Sequence, residues 1–361
     1  MKRALWITCG VRGNAGDALL YEVTRALFDG KVDLDFRHVS EPTYLRKGDR
    51  ESDNVIIGPG GLFVQTNSSR HLHSKLAKQW DRFEGKRFFL WSTGILQNPT
   101  AEEVTAVRKV TSRSRRIVVR ATKEADFIRK VGPVTSPEWA PCTSLFTDRL
   151  LDAPDTTHDV VVLNLDAFLF TPENIADHPL RRFVDFARAQ GLDVRSMVNA
   201  SGDSNRLMLD LLPPIDIDEK PFGSLLRDEL EGRDFHEAYN AALLRHPSFA
   251  ARYTDCRFAF GKRLHGWLPF LAYDKPAAFI GMNARRGMPA DYFGSDELLC
   301  DVPRTTSMSR AQLDRMADDM IATLTRFIAG EDALKSRIAE RREELWGQLQ
   351  RQTSDFADAL A

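Results

Sequence analysis

The sequence predicts an α/β protein of two Rossmann-like domains with mostly parallel sheets, closed by C-terminal helices. Three observations carry that expectation. Short apolar runs alternate with longer amphipathic stretches, the pattern of βαβ units. The alternation occurs twice, either side of the polar segment DRLLDAPDTTHD at 148–159. And 361 residues are too many for one ordinary core. The expected division is 1–150, 151–308 and a helical extension at 309–361.

In order, ALWITC (4–9) reads as a strand, GVRGNAGD (10–17) as a turn and ALLYEVTRALF (18–28) as a helix. Strands follow at 34–39 and 54–58, a helix at 71–82, and a strand at 88–92. AEEVTAVRKVT (101–111) has helical spacing, RIVVR (116–120) is apolar and strand-length, and TKEADFIRKV (122–131) is helical again. After the break come a strand at 159–165, a helix over about 173–190, a strand at 192–198 and a helical stretch beyond GDSN. A proline-rich connection at 211–223 leads into helical material to about Leu244. CRFAF and PAAFIG are strands that flank GKRLHGWLPFLAYDK. From Ser309 the pattern is helical, with Gly330 as a break. Ile338, Leu345, Trp346 and Leu349 form the apolar stripe of a last amphipathic helix, packed on a domain or across both. A peripheral membrane or oligomer contact is the second reading of that stripe.

Composition excludes several classes. A hydrophobic content of 43% and a charged content of 28% are ordinary for a globular chain. With a formal net charge of −1 there is no global basic field for nucleic acid. The four cysteines, Cys9, Cys142, Cys256 and Cys300, are far apart with no CxxC pair. They read as small buried hydrophobes in a reduced cytoplasm, and no ligand cluster suggests a metal. No apolar run approaches a membrane span, and the first run is followed by a glycine-rich turn rather than a cleavage site.

Three strand-to-helix transitions hold the candidate chemistry, because ligands of open α/β sheets bind beyond the carboxyl ends of strands. Gly10 to Asp17 offers Asn14, Gly16 and Asp17; the competing reading is that Asn14 or Asp17 only caps the helix. Its spacing is neither GxGxxG nor a P-loop. Gly58-Pro59-Gly60-Gly61 allows close backbone approach to a ligand or is simply a tight turn. Phe63, Gln65, Asn67 and Ser68 beyond it could line a cleft. The third turn, Lys262-Arg263-Leu264-His265, sits between apolar runs. Pro269 supports a helix starting near His265. A helix N-terminus with Arg263 and His265 on one side, and Leu264 anchored in the core, makes an anion site. Lys262 is a secondary member.

Taken together, GNAGD, IIGPGG, LWSTGI, VVRATKEADFIRKVG, APCTSLF and GKRLHGWLPFLAYDKPAAFIG resemble the polysaccharide pyruvyl transferase family over most of residues 1–285. The RLH segment is the most specific part of that resemblance. The chain departs from the family pattern at several positions, among them Gly202-Asp203-Ser204 in place of an acidic pair and an arginine in place of a lysine after the later strand. Ala121 follows Arg120 where the family has aspartate, which removes an adjacent carboxylate to orient the arginine, and Pro59 replaces the middle glycine of GGG. The basic residue after the later strand is Arg285 or Arg286.

The resemblance implies a GT-B-like fold and transfer of pyruvate from phosphoenolpyruvate to a sugar as a ketal, with no cofactor. It implies that Arg263, His265 and Arg120 serve donor binding and catalysis, and the chemistry of ketal formation then makes His265 the expected general acid and Asp17 the expected acceptor base. Substrate would be held by Arg263 and Arg120 from opposite domains, with Asn14, Gly16, Gly60, Gly61, Lys262 and Arg285. The partners would be phosphoenolpyruvate and a glycan acceptor, at a cytoplasmic location or on the inner face of a membrane. The alternatives are a GT-B glycosyltransferase using a nucleotide sugar and a non-catalytic glycan-binding relative.

Overall fold

The computed structural model describes residues 2–9, 15–45, 52–64, 67–95, 99–153, 156–197, 206–213, 249–281, 286–302 and 308–361. The expected helical material up to Leu244 lies outside them. The chain forms two compact units. Unit 1 comprises Met1–Gly10, Leu20–Thr143 and Glu343–Ala361, and unit 2 comprises Val11–Leu19 and Ser144–Arg342. The chain-order expectation cut near residue 150 and set 309–361 apart; the structure cuts between Thr143 and Ser144 and divides the last helices between the units.

Unit 1 is built on a parallel sheet. Its strands are β1 (Lys2–Thr8), β2 (Val32–His38), β3 (Asn54–Ile57), β4 (Gly60–Val64), β5 (Arg87–Ile95), β6 (Ser114–Val119) and β7 (Glu138–Trp139). Their order is β2-β1-β3-β5-β6-β7, with β4 also on β5. Register explains the apolar runs. Leu5 pairs with Val55 and Val55 with Phe88, while Trp6 pairs with Ile56 and Ile56 with Phe89. Alternate residues thus form two apolar layers, as in a parallel sheet buried on both faces. One layer, with Leu5, Val55, Phe88, Leu90 and Ile117, packs on Leu72, Leu76, Val107, Val110 and Ile128.

Those residues lie on α2 (Asn67–Gln79), α3 (Ala101–Thr111) and α4 (Thr122–Val131). In α3, the Thr100 side chain accepts from Glu103 N–H while Glu103 reaches back, a capping box that explains its sharp start. Gly132 ends α4 at φ 77°, where a side chain would be strained.

Unit 2 holds a second parallel sheet of β8 (Val160–Asn164), β9 (Asp193–Ser196), β10 (Phe258–Gly261), β11 (Ala277–Ile280) and β12 (Leu299–Cys300). The order is β12-β11-β10-β8-β9. Phe258 to Phe260 and Ala277 to Ile280 are buried throughout. Phe260 packs on Phe183 of helix Leu180–Ala189 and on Phe327 of helix Arg310–Ala329. Ser309 caps the latter helix with Gln312, and Gly330 separates it from the final helix, Glu331–Ala359. Ile338, Leu345 and Leu349 are buried and Trp346 is half-buried, so most of the predicted stripe faces protein. All four cysteines are buried, and none of them forms a disulfide. Burial pushes the Cys256 and Cys300 thiols up to about 12, which keeps them protonated and inert.

Candidate functional site

In unit 2 the chain passes from β8 to β9 on one side and later returns to place β10 on the other. The topological switch point therefore lies between β8 and β10, where ligands of open α/β sheets bind. The carboxyl ends there are Asn164 and Gly261. The two following loops are laced together. Lys262 N–H donates to the Asn164 carbonyl (3.0 Å), Arg263 N–H to Asn164 Oδ1 (3.2 Å), and Asn164 Nδ2 to the Met197 carbonyl (2.8 Å). A Cβ on Gly261 would overlap the Gly266 carbonyl, and one on Gly266 would overlap Asn164 Oδ1. Glycine is thus required at both ends of Gly-Lys-Arg-Leu-His-Gly.

Within this turn Arg263 is extended (φ −90°, ψ 147°) and half-exposed, and Leu264 is 1% exposed, the anchor expected from the sequence. The expectation of a helix starting near His265 is corrected. Leu264–Gly266 is a 3₁₀ turn, and Trp267 (φ −130°, ψ −63°) breaks it from the five-residue helix Leu268–Ala272. A helix that short has little macrodipole, so the anion-attracting charge of this turn comes from its side chains.

His265 is 9% exposed. Its ring lies on Gly16, in the first turn of α1 (Ala15–Phe28): a Cβ there would stand 2.8 Å from His265 Nδ1 and 2.9 Å from its Cβ. Gly16 and His265 both belong to unit 2, because Val11–Leu19 pack with that unit. From the other side Tyr253 Oη donates to the His265 carbonyl (3.3 Å), and the Tyr253 ring meets Phe270 at 5.2 Å. Asp17 follows Gly16, half-buried in the first turn of α1, where a carboxylate is favoured by the helix dipole. The structure therefore brings Gly16, Asp17, Lys262, Arg263 and His265 into one unit. Asn14 and Arg285 lie outside the described residues; Arg286 is exposed and pairs with Asp301.

Lys262 is drawn inward. It forms an ion pair with Asp166, at side-chain exposures of 18% and 10%, and its ammonium lies 4.8 Å from the centre of the Phe168 ring. Burial, and then the Arg263 guanidinium, push the ammonium down to about 8. Asp166 and Phe168 were missed by sequence reasoning. Their only signal is one acid within the apolar run VVVLNLDAFLF.

In unit 1 the switch point lies between β1 and β3. Gly58-Pro59, joined by a cis peptide bond, is tied to β1 there. Thr8 Oγ1 donates to the Pro59 carbonyl (2.9 Å) and Trp6 Nε1 to that of Gly58. Gly58 has φ 119°, and a Cβ on it would overlap the Trp91 carbonyl. Gly60 and Gly61, expected in a turn, open β4 instead, because Gly60 pairs with Thr93 and Val64 with Ile95 of β5. Phe63, Asn67 and Ser68 fall on β4 and α2, and Gln65 lies outside the described residues.

Arg120 is 1% exposed, and its guanidinium fills the space where Gly94 lacks a side chain. Glu124, 3% exposed and one helical turn on, accepts from Arg120 N–H (3.2 Å) and faces Nε at 3.8 Å. The carboxylate expected to be missing at Ala121 is thus supplied by Glu124. Among the described residues no group of three or more His, Cys, Asp or Glu could hold a metal, and no helix is long and apolar enough to cross a membrane.

A family model described as polysaccharide pyruvyl transferase matches residues 14–283. No curated protein matches the sequence. Among solved structures, the chain is similar to S. aureus MnaA with UDP at 11% identity and TM-score 0.49, covering 94% of this chain and 91% of that one. UDP-GlcNAc 2-epimerase from Neisseria meningitidis bound to UDP-GlcNAc matches at 8% identity and TM-score 0.49, over 94% of each chain. An uncharacterised protein from Klebsiella pneumoniae matches at 12% identity and TM-score 0.46, over 85% and 93%.

Proposed function

The chain belongs to the polysaccharide pyruvyl transferase family, and from that premise we propose that it moves pyruvate from phosphoenolpyruvate onto a sugar of a surface polysaccharide or its precursor as a ketal. The observation that carries this reading is the Arg263–His265 turn seated on Gly16 at the switch point of unit 2. It offers a half-exposed guanidinium for a phosphate or carboxylate and, two residues on, an imidazole held in place by packing.

In the proposed reaction His265 protonates the methylene carbon of the enol, which leaves an oxocarbenium-like centre at the adjacent carbon. One sugar hydroxyl adds there, phosphate departs with its bridging oxygen, and a second hydroxyl closes the ketal. Two hydroxyl protons are released. One balances the proton taken up by carbon and the other leaves with phosphate. Asp17 is the proposed acceptor base. Arg263, with Arg120, Asn14, Gly16, Gly60, Gly61, Lys262 and Arg285, is proposed to hold the substrates. Arg263 can offer the two-pronged fork that suits an oxyanion.

The test is phosphate release from phosphoenolpyruvate against a panel of nucleotide- and lipid-linked sugars. Release that depends on both substrates, and is lost in Arg263→Ala and His265→Ala, is the expected result. Gly16→Ala should displace the imidazole and cut turnover at least ten-fold, at a stability cost of about 1–3 kcal/mol, the usual range for overpacking. Full turnover in both Arg263→Ala and His265→Ala would overturn the assignment. Stabilisation by UDP or GDP but not by phosphoenolpyruvate would favour a nucleotide-sugar glycosyltransferase.

A further inference from the structure

Phe168 is unusual in this molecule. It is 42% exposed and, with Val134, one of two large hydrophobic residues that are exposed among the described residues. It lies in the 3₁₀ turn Ala167–Leu169 just beyond the carboxyl end of β8, at the switch point of unit 2. One acid and one cation accompany it. Lys262 Nζ stands 4.8 Å from the ring centre, and Asp166 holds that ammonium. Asn164 ties the Lys262–Arg263 backbone to the end of β8. The next residue after Lys262 is Arg263.

We propose that Phe168, Asp166 and Lys262 form the acceptor subsite, in which a neutral pyranose ring stacks on Phe168 and its hydroxyls bond to Asp166 and Lys262. This rests on the pyruvyl-transfer reading, and it names which side of the Arg263–His265 turn receives the sugar. A pyranose has one face of C–H bonds and a rim of hydroxyls. An aromatic face, with its negative quadrupole, suits the first. A carboxylate that accepts and an ammonium that donates suit hydroxyls, which do both. The charge balance also discriminates. Asp166 repels a phosphate and Lys262 is already neutralised by it, so the patch favours an uncharged polyol. An aromatic platform beside a few fixed polar groups is also how small-ligand sites set orientation.

The experiment uses the full chain, methyl hexopyranosides as binding probes, and Phe168→Ala and Phe168→Trp variants. Saturation-transfer NMR without phosphoenolpyruvate should show contact to the C–H protons of one sugar face, lost in Phe168→Ala and kept in Phe168→Trp. In phosphate-release assays with a turning-over acceptor, Phe168→Ala should raise the acceptor KM about five- to ten-fold, the strength of an aromatic contact, and leave the phosphoenolpyruvate KM within about two-fold. Phe168→Trp restores the acceptor KM and shows that the site still folds. An unchanged acceptor KM in Phe168→Ala overturns the subsite, as does uridine, rather than a pyranoside, giving the Phe168-dependent signal. If pyranosides bind through Phe168 but the wild type releases no phosphate with any acceptor, the pyruvyl-transfer reading fails and the sugar platform stands.

Discussion

Arg120, just beyond the end of β6, faces the carboxylate of Glu124 rather than one on the residue that follows it. The residue after Arg120 is Ala121, which offers no carboxylate. Arg120 precedes α4, and Glu124 in the first turn of that helix turns back toward it, 3% exposed beside a guanidinium that is 1% exposed. Removing one member of a buried ion pair typically costs about 3–5 kcal/mol, because a charge stays behind in a poor solvent. Arg120→Ala should therefore lower the urea midpoint strongly, and Arg120→Ala with Glu124→Ala should recover most of that loss. If the single and double variants are equally unstable, the pair is not what holds this strand end. Catalytic loss that persists in the stable double variant would separate a donor-binding role from the structural one. The contact between Gly16 and His265 had no signal in the sequence at all. The residues are far apart along the chain, and only the packing of Val11–Leu19 with unit 2 brings them together.

At the scale of elements, legibility followed local chemistry. Helices α3 and α4 were read with their observed limits, Ala101–Thr111 and Thr122–Val131, because their apolar period is bounded by local signals, a capping box in one and a left-handed glycine in the other. Strand β4 was not legible, since two glycines say turn and only pairing with β5 makes them strand. The break between the 3₁₀ turn and the helix after His265 was hidden for the same reason: Trp267 alone carries the irregular backbone. The loop after β8 was equally silent, although it carries Phe168 and leads to His178. That histidine is 1% exposed and stacked on Phe170 at 4.8 Å. Its Nδ1 accepts from Leu180 N–H (3.2 Å), which leaves Nε2–H to donate to the Leu169 carbonyl (3.0 Å). This arrangement holds the ring neutral. Burial is the first cause of a lowered pKa, only partly offset by the bond to Leu169. The sign follows. Below the ordinary value of 6.5 the unfolded chain takes up a proton that the folded chain does not, so stability falls as pH falls from 6.5 until the folded histidine also titrates. His73, also lowered by burial, adds to the same slope. The slope for each group is at most about 1.4 kcal/mol per pH unit. Melting temperature should drop between pH 7 and pH 5 less in His178→Gln than in the wild type, and parallel curves would rule out His178 as a source of the slope.

Across the whole molecule, the division into units is where chain order misleads most. The alternation of strands and helices made two α/β units legible, and the apolar stripe of the last helix allowed packing on one unit or on both, but only the structure fixes where the helix passes from one to the other. Residues of Glu331–Ala359 as far as Arg342 pack with unit 2, where Arg342, 4% exposed, pairs with Asp148 and Asp274. From Glu343 onward the chain packs with unit 1. Lys2 donates to the Ala357 carbonyl (2.9 Å), Asn54 Nδ2 to that of Leu360 (2.8 Å), and Arg116 pairs with Asp355 (3.3 Å). Phe356 is fully buried against Phe28 (5.8 Å), Phe89 (5.7 Å) and Trp91 (5.0 Å between ring centres). The sheet of unit 1 thus has one of its two apolar layers covered in part by residues far removed in sequence. A truncated phenylalanine in such a place typically costs about 3–5 kcal/mol, the lost transfer energy plus the cavity left behind. Phe356→Ala should lower unit 1 stability by that amount, read as accelerated hydrogen exchange in β1, β3 and β5, while the strands of unit 2 keep their protection. Removal of Glu343–Ala361 should go further and leave unit 1 open to proteolysis, since three aromatic rings lose their cover at once. Equal loss of protection in β8 and β10 would mean that the two units unfold as one, and retention of full protection in β5 would mean that the final helix only decorates the sheet it covers.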